Sequence, residues 1–109
     1  MNKYRNKPCQ VGAEKYRSQR EAKRHQELLL LQRAGKIAGL AREVPFALVP
    51  SQRRSDGVAE RPCSYICDFL YTTDDGRIVV EDAKGVRTKD YIIKRKLMLM
   101  VHGISVAEV

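Results

Sequence analysis

No stretch of this 109-residue sequence is apolar for long enough to cross a bilayer. A spanning helix needs about 20 apolar residues, whereas the longest runs, 28–31 and 97–101, are short and sit among charges. The basic opening MNKYRNKPCQ has no apolar stretch behind it and does not read as a signal peptide. A cytoplasmic protein with no membrane partner is expected. Cysteine is scarce, and the odd set Cys9, Cys63 and Cys67 excludes a disulfide framework. Cys63 and Cys67 have the C-x3-C spacing of half a zinc site. The only histidines, His25 and His102, do not supply the other half, so buried or partly buried free thiols are expected. Repeats and low-complexity tracts are also missing. The length leaves room for one domain, 1–109, with one core.

What is abundant is positive charge, +8 net, and it is unevenly placed. Residues 1–62 hold 14 Lys and Arg against 6 Asp and Glu, while residues 63–109 hold 7 of each. Such an excess favours a polyanion, most simply nucleic acid, with plain solubility as the alternative. The expected contact set is Lys3, Arg5, Lys7, Lys15, Arg17, Arg20, Lys23 and Arg24, beginning in a basic N-terminal segment of about residues 1–16. Lys94 and Lys96 either face solvent or meet phosphates.

Along the chain, residues 1–16 look irregular or hairpin-like, with Gly12 as the turn. Ser18 and Glu21 then form a capping box, Glu21 reaching back to the Ser18 amide. Helix-forming residues follow to Ala34, and Gly35 ends the helix. Ala22, His25/Gln26, Leu29, Leu30 and Arg33 recur at helical spacing. Residues 44–49 read as a strand whose flanking Pro45 and Pro50 suggest an edge or a bulge. Residues 51–62 are polar and read as a flexible loop. Residues 64–72 and 77–83 are strands joined at Asp74-Asp75-Gly76. A helix over 89–102, with Ile93, Leu97, Met100 and Val101 on one face, is stopped by Gly103. Residues 104–109 alternate as a last strand. The order is α-β-β-β-α-β, an α/β single domain.

The hairpin fixes where the acids fall. A two-residue loop would set Asp68 opposite Ala83. A three-residue loop, Asp74-Asp75-Gly76 with Gly76 left-handed, sets Asp68 directly opposite Asp82. Strand alternation then puts Lys84 on the Asp82 face and Glu81 on the other. Opposed carboxylates repel, and a divalent cation is the compensation that suits chemistry, because Mg²⁺ is held by one or two carboxylates plus water and substrate oxygens. Lys84, about 7 Å along the strand from Asp82, can orient the attacking water or steady the charge that builds on phosphorus. Exposed acids and a lysine on a solvated sheet face are the bland alternative.

Tyr65-Ile-Cys-Asp68-Phe69-Leu followed by Asp82-Ala83-Lys84-Gly85 resembles the signature of PD-(D/E)xK nucleases, whose restriction-endonuclease-like core is α-β-β-β-α-β. The resemblance is closest to a small phage- and prophage-associated family of unknown function. That family has an S-x-x-E-A helix start, a Y-x-x-D-F strand and a V-E-D-x-K-G strand, here 18–22, 65–69 and 80–85. The resemblance implies metal ligands at Asp68 and Asp82, a third from the Ala83 carbonyl, and Lys84 as the catalytic lysine. It also implies a metal-completing role for Glu21, which competes with that residue's role in the cap. Cys67 stands where the family's proline is usual, and Asp82 is one methylene shorter than the usual Glu. His25 is expected to be structural.

The function implied is a Mg²⁺- or Mn²⁺-dependent DNA endonuclease encoded by a phage or prophage and working in the bacterial cytoplasm. Branched or Holliday junction DNA suits so small a chain. Resolvases of this fold are homodimers, and a C2 dimer matches two-fold symmetric DNA. Two other readings stand beside it: a non-catalytic nucleic-acid-binding protein that keeps the fold, and a phage adaptor or inhibitor.

Overall fold

In the computed structural model, which describes residues 8–12 and 14–109, Gly12 adopts a left-handed φ of 60° beside β1 (Cys9–Val11), which pairs with β2 (Glu14–Tyr16). This is the hairpin expected of the basic segment. Ser18 then starts α1 (Gln19–Arg33), its Oγ accepting the Glu21 N–H at 3.2 Å. Gly35, with φ 77°, follows the helix end.

The buried face of α1 keeps Ala22 and His25 from the expected one but not Leu30 or Arg33. Glu21, Ala22, His25 and Leu28 are buried, whereas Leu30 is 61% exposed. Leucine runs from 28 to 31 and therefore points in most directions round the helix, so the leucines cannot select a face. The polar residues on the buried face select it, because each finds a partner there. His25 meets the Tyr16 hydroxyl through Nδ1 at 2.5 Å and stacks on Phe69, confirming its structural place. Burial holds its pKa below the ordinary value.

Next comes β3 (Ile37–Val49), much longer than the strand read at 44–49. Gly39 (φ 66°), Glu43 (φ 53°) and a register irregularity between Ala38 and Ala41 disguise its first half. It lies at the sheet edge, where proline's missing N–H is tolerated. The supposed flexible loop is a short β-arm of β4 (Gln52–Arg53) and β5 (Ala59–Glu60), closed by an Arg54 N–H to Val58 carbonyl bond of 2.9 Å. Every residue from 51 to 64 is exposed, Cys63 included. The arm's internal bonds order it without burial.

The central strand β6 (Cys63–Thr73) pairs antiparallel with β3 and with β7 (Ile78–Asp82). Helix α2 (Lys89–His102) then crosses over to β8 (Ala107–Glu108), parallel to β7. The sheet order β3-β6-β7-β8 with two helices makes a mixed α/β domain. No helix among the described residues is long and apolar enough to cross a membrane.

Two core clusters form. Leu28, Ile37, Phe69 and Tyr71 make one, with Val79 against it; Leu48, Tyr65, Cys67, Val80, Tyr91 and Met98 make the other. Adjacent Val79 and Val80 join different clusters, so these lie on opposite faces of the sheet. The α2 face is also only partly the one expected, with Leu97 alone of the four on the core. Tyr91 and Met98 are buried with Ile92 and Leu97 against them, while Ile93 is 56% and Met100 75% exposed and Val101 is exposed too. The Tyr91 hydroxyl and Arg95 both bond Glu108 at 2.7 and 3.0 Å, which rotates the helix toward β8.

One break in alternation positions the site. Cys67 and Phe69 are two residues apart and should share a face, yet they join opposite clusters. On β3 their partners part likewise: Val44 packs with the Cys67 cluster, while Arg42 turns to Glu21 of α1. Glu43 and Asp68 lie between these pairs, and Glu43 carries the positive φ. The sheet switches face at Asp68.

Candidate functional site

The β6–β7 hairpin has the three-residue loop. Phe69 pairs with Glu81, Leu70 with Val80 and Thr72 with Ile78, and the turn closes with Thr73 N–H to the Arg77 carbonyl at 2.8 Å. Gly76 is left-handed at φ 87°. One step beyond Phe69 and Glu81 stand Asp68 and Asp82, each only 3% exposed. Freed from strict alternation, Asp68 reaches past the end of β7, where its Oδ2 accepts the Ala83 N–H at 2.8 Å. Its Oδ1 accepts from Arg17 Nη2 at 2.5 Å.

Asp82 is held differently. Its Oδ2 accepts the Tyr65 hydroxyl at 2.5 Å, and Lys84 Nζ lies 3.4 Å from Oδ1. Lys84 also sits over the Tyr91 ring, 4.4 Å from its centroid. Burial, and then the charge of Asp68, raise the Asp82 pKa to about 6 against the opposing pull of Tyr65 and Lys84. The Tyr65 hydroxyl is pushed up as well, by burial first and then by Asp82.

Glu21 faces the same cleft from α1 and is 2% exposed. Its backbone N–H uses the Ser18 cap, but its carboxylate does not bond back to the Ser18 amide as the capping box requires. Instead Oε1 meets Arg42 Nη2 at 3.1 Å, and Oε2 lies 3.4 Å from the Arg17 N–H and 3.7 Å from its Nε. The cap is therefore only half a box, and the carboxylate is turned toward Asp68's partner. Together Arg17, Glu21, Asp68, Asp82, Ala83 and Lys84 line a cleft of about 260 Å³. An adjoining recess of about 340 Å³ shares Arg17, Asp82 and Lys84 and adds Tyr65 and Lys94.

Chemically this is a set of hard oxygen donors beside a lysine, with a guanidinium between two of the acids. Such oxygens suit Mg²⁺ or a similar ion. Among the described residues, no three His, Cys, Asp or Glu side chains converge as a ready-made metal cluster. Arg17 sets a positive charge directly against Asp68.

The expected basic surface divides. Lys15, Arg17, Arg20, Lys23 and Lys96 are exposed, and Lys94 is half-buried in the recess beside Lys84. Arg24 grips the buried Glu81 through Nε and Nη2 at 2.8 and 2.6 Å, and Tyr71 donates to the same carboxylate. Its guanidinium joins α1 to β7 and is not free for phosphate. Lys3, Arg5 and Lys7 lie outside the described residues. Tyr65 and Arg42 were not singled out from sequence as site residues. Tyr65 sits in the motif before Asp68, but nothing in its spacing announces a bond to a residue on the next strand.

Fold and cleft together define a mixed α/β domain with two adjoining buried aspartates and a lysine at the end of a hairpin. A family model described as "Protein of unknown function (DUF1064)" matches residues 1–104, and the chain belongs to that family. No curated protein and no solved structure matches it.

Proposed function

We propose that the protein is a metal-dependent DNA endonuclease of the PD-(D/E)xK type. The observation that carries this reading is the side-by-side burial of Asp68 and Asp82 in one cleft with Lys84. Burying two carboxylates together raises the cost of ionising both, a cost that structural roles alone do not require. With the β1–β2 hairpin and the β4–β5 arm set aside, the order α1-β3-β6-β7-α2-β8 supports it too, since it is the order of the restriction-endonuclease-like core.

In this reading Asp68, Asp82, the Ala83 carbonyl and Glu21 hold Mg²⁺ or Mn²⁺. The ion, when bound, supplies an activated water and polarises the phosphodiester. Lys84 orients that water and offsets charge on the phosphate oxygens. Tyr65 fixes one oxygen of Asp82 and leaves Oδ1 to the cleft. Ala83, through its N–H, fixes one oxygen of Asp68 in the same way. Arg20, Lys23, Lys94 and Lys96 supply sequence-independent phosphate contacts. Branched DNA is the substrate class that suits a chain with little surface for reading bases, acted on by a homodimer in the bacterial cytoplasm in phage or prophage DNA metabolism.

A non-catalytic DNA-binding protein is the second reading, favoured by the Arg17–Asp68 ion pair and by the absence of a three-acid cluster among the described residues. Linear, nicked, flapped and four-way DNA incubated with the purified protein in Mn²⁺ or EDTA separates the two. Cleavage confined to Mn²⁺ supports the nuclease; binding of DNA without cleavage of any substrate supports the second reading.

A further inference from the structure

Among the described residues, Arg17 is the one side chain of the cleft that is both cationic and mostly exposed while touching acids that are almost wholly buried. Its side chain is 63% exposed, against 3% for Glu21 and 4% for Asp68. Among the described residues its guanidinium pairs with these two carboxylates. Each acid has a second, fixed donor: the Ala83 N–H for Asp68 and Arg42 for Glu21. Withdrawing the Arg17 guanidinium would thus leave both carboxylates aimed as they are, with Asp68 Oδ1 released into the cleft and Glu21 Oε2 keeping the Arg17 backbone N–H. The residue lies on the short link between β2 and the Ser18 cap, and it lines both the cleft and the adjoining recess.

From this geometry we infer that Arg17 is a built-in counter-ion, which a divalent cation displaces from Asp68 and which then swings to hold a substrate phosphate. The inference rests on the nuclease reading of the same cleft. Two buried carboxylates need a positive charge whether or not metal is present. A long, exposed arginine provides it reversibly, because an ion pair with one partner in solvent is weak. Once displaced, the guanidinium matches a phosphate with two parallel N–H donors. The same side chain thereby lowers metal affinity in the free protein and raises DNA affinity in the loaded one.

Mn²⁺ binding, followed by the electron paramagnetic resonance signal of the free ion, tests this without reading activity. Wild type, Arg17→Gln, Arg17→Lys and the double variant Arg17→Gln/Asp68→Asn are compared at one pH and salt. Arg17→Gln is expected to bind Mn²⁺ about tenfold more tightly than wild type, as expected for losing a competing partly screened charge. Arg17→Lys, which keeps the charge, should fall between them, and the double variant should lose the gain. With Ca²⁺ in place of Mn²⁺, Arg17→Gln should bind a DNA duplex several-fold more weakly than wild type. Equal Mn²⁺ affinity in wild type and Arg17→Gln overturns the counter-ion role and leaves the nuclease reading standing. If no variant binds Mn²⁺ through Asp68, the metal site itself is wrong and both fall. Thermal unfolding in EDTA verifies that each variant is folded.

Discussion

Asp68 and Asp82 adjoin at the open end of the β6–β7 hairpin, and each is fixed by a donor from another part of the chain. Asp68 takes the Ala83 N–H and Arg17, while Asp82 takes the Tyr65 hydroxyl and Lys84. The pair is buried, so its charges act on each other with little screening from solvent. Asp82 carries the consequence in a pKa raised to about 6, by burial first and by Asp68 second.

A raised carboxylate pKa means that the folded protein binds a proton the unfolded chain has already lost. Stability linked to Asp82 therefore falls as pH rises from its ordinary 3.8 to about 6 and is level above that. Asp82→Asn removes the titration and keeps an acceptor for Tyr65. In EDTA the variant should be more stable than wild type at pH 8, by on the order of 2 kcal/mol, and the gap should close toward pH 4. Urea unfolding of both proteins across this range measures it. A constant difference at all pH values would contradict the assignment.

Arg24 and its neighbours on α1 should behave differently although all are basic. Removing Arg24 leaves Glu81 buried without its cation, so Arg24→Ala should lose about 2–4 kcal/mol of stability. Arg20→Ala and Lys23→Ala should leave the melting temperature nearly unchanged and weaken DNA binding, with a shallower dependence on salt. Thermal unfolding and DNA titrations at several salt concentrations separate the two behaviours. An Arg24→Ala protein that melts with wild type would remove the structural role given to its ion pair.

The β4–β5 arm is exposed throughout and is held by bonds within itself. Replacing residues 51–61 with Asn-Gly leaves a four-residue connection, Pro50-Asn-Gly-Pro62, between neighbouring strands β3 and β6 and shortens a loop that costs entropy to close. Unfolding should then be no easier than in wild type, within about 1 kcal/mol. A large loss would mean that the arm packs on the domain.

How much of this was legible in the sequence follows from what each residue's neighbours fix locally. Turn chemistry at Asp74-Asp75-Gly76 set the hairpin register, and with it the meeting of Asp68 and Asp82, because Gly76 alone supplies the left-handed position. The Ser18 cap and Gly103 fixed the start of α1 and the end of α2 for similarly local reasons. Burial was less legible. Apolar residues surround much of both helices, so the choice of Leu28 over Leu30 and of Met98 over Met100 was made by tertiary partners. The first half of β3 was hidden by Gly39 and by a positive φ at Glu43, between the paired Arg42 and Val44. Arg17 read as one more cation on a basic segment. Its partner lies 51 residues away, a relation no local pattern encodes.

The central claim is that Asp68, Asp82 and Lys84 form a cutting centre, and a single-time-course nuclease assay tests it most directly. Wild type and the double variant Asp68→Ala/Lys84→Ala are purified by the same route and incubated with four-way and linear DNA in Mn²⁺. Melting curves first establish that both are folded. Wild type should cleave and the double variant should lose at least about 100-fold in rate, as removal of metal-holding and charge-stabilising groups requires. Cleavage by the double variant at the wild-type rate, or none by wild type on any DNA offered, would contradict the account.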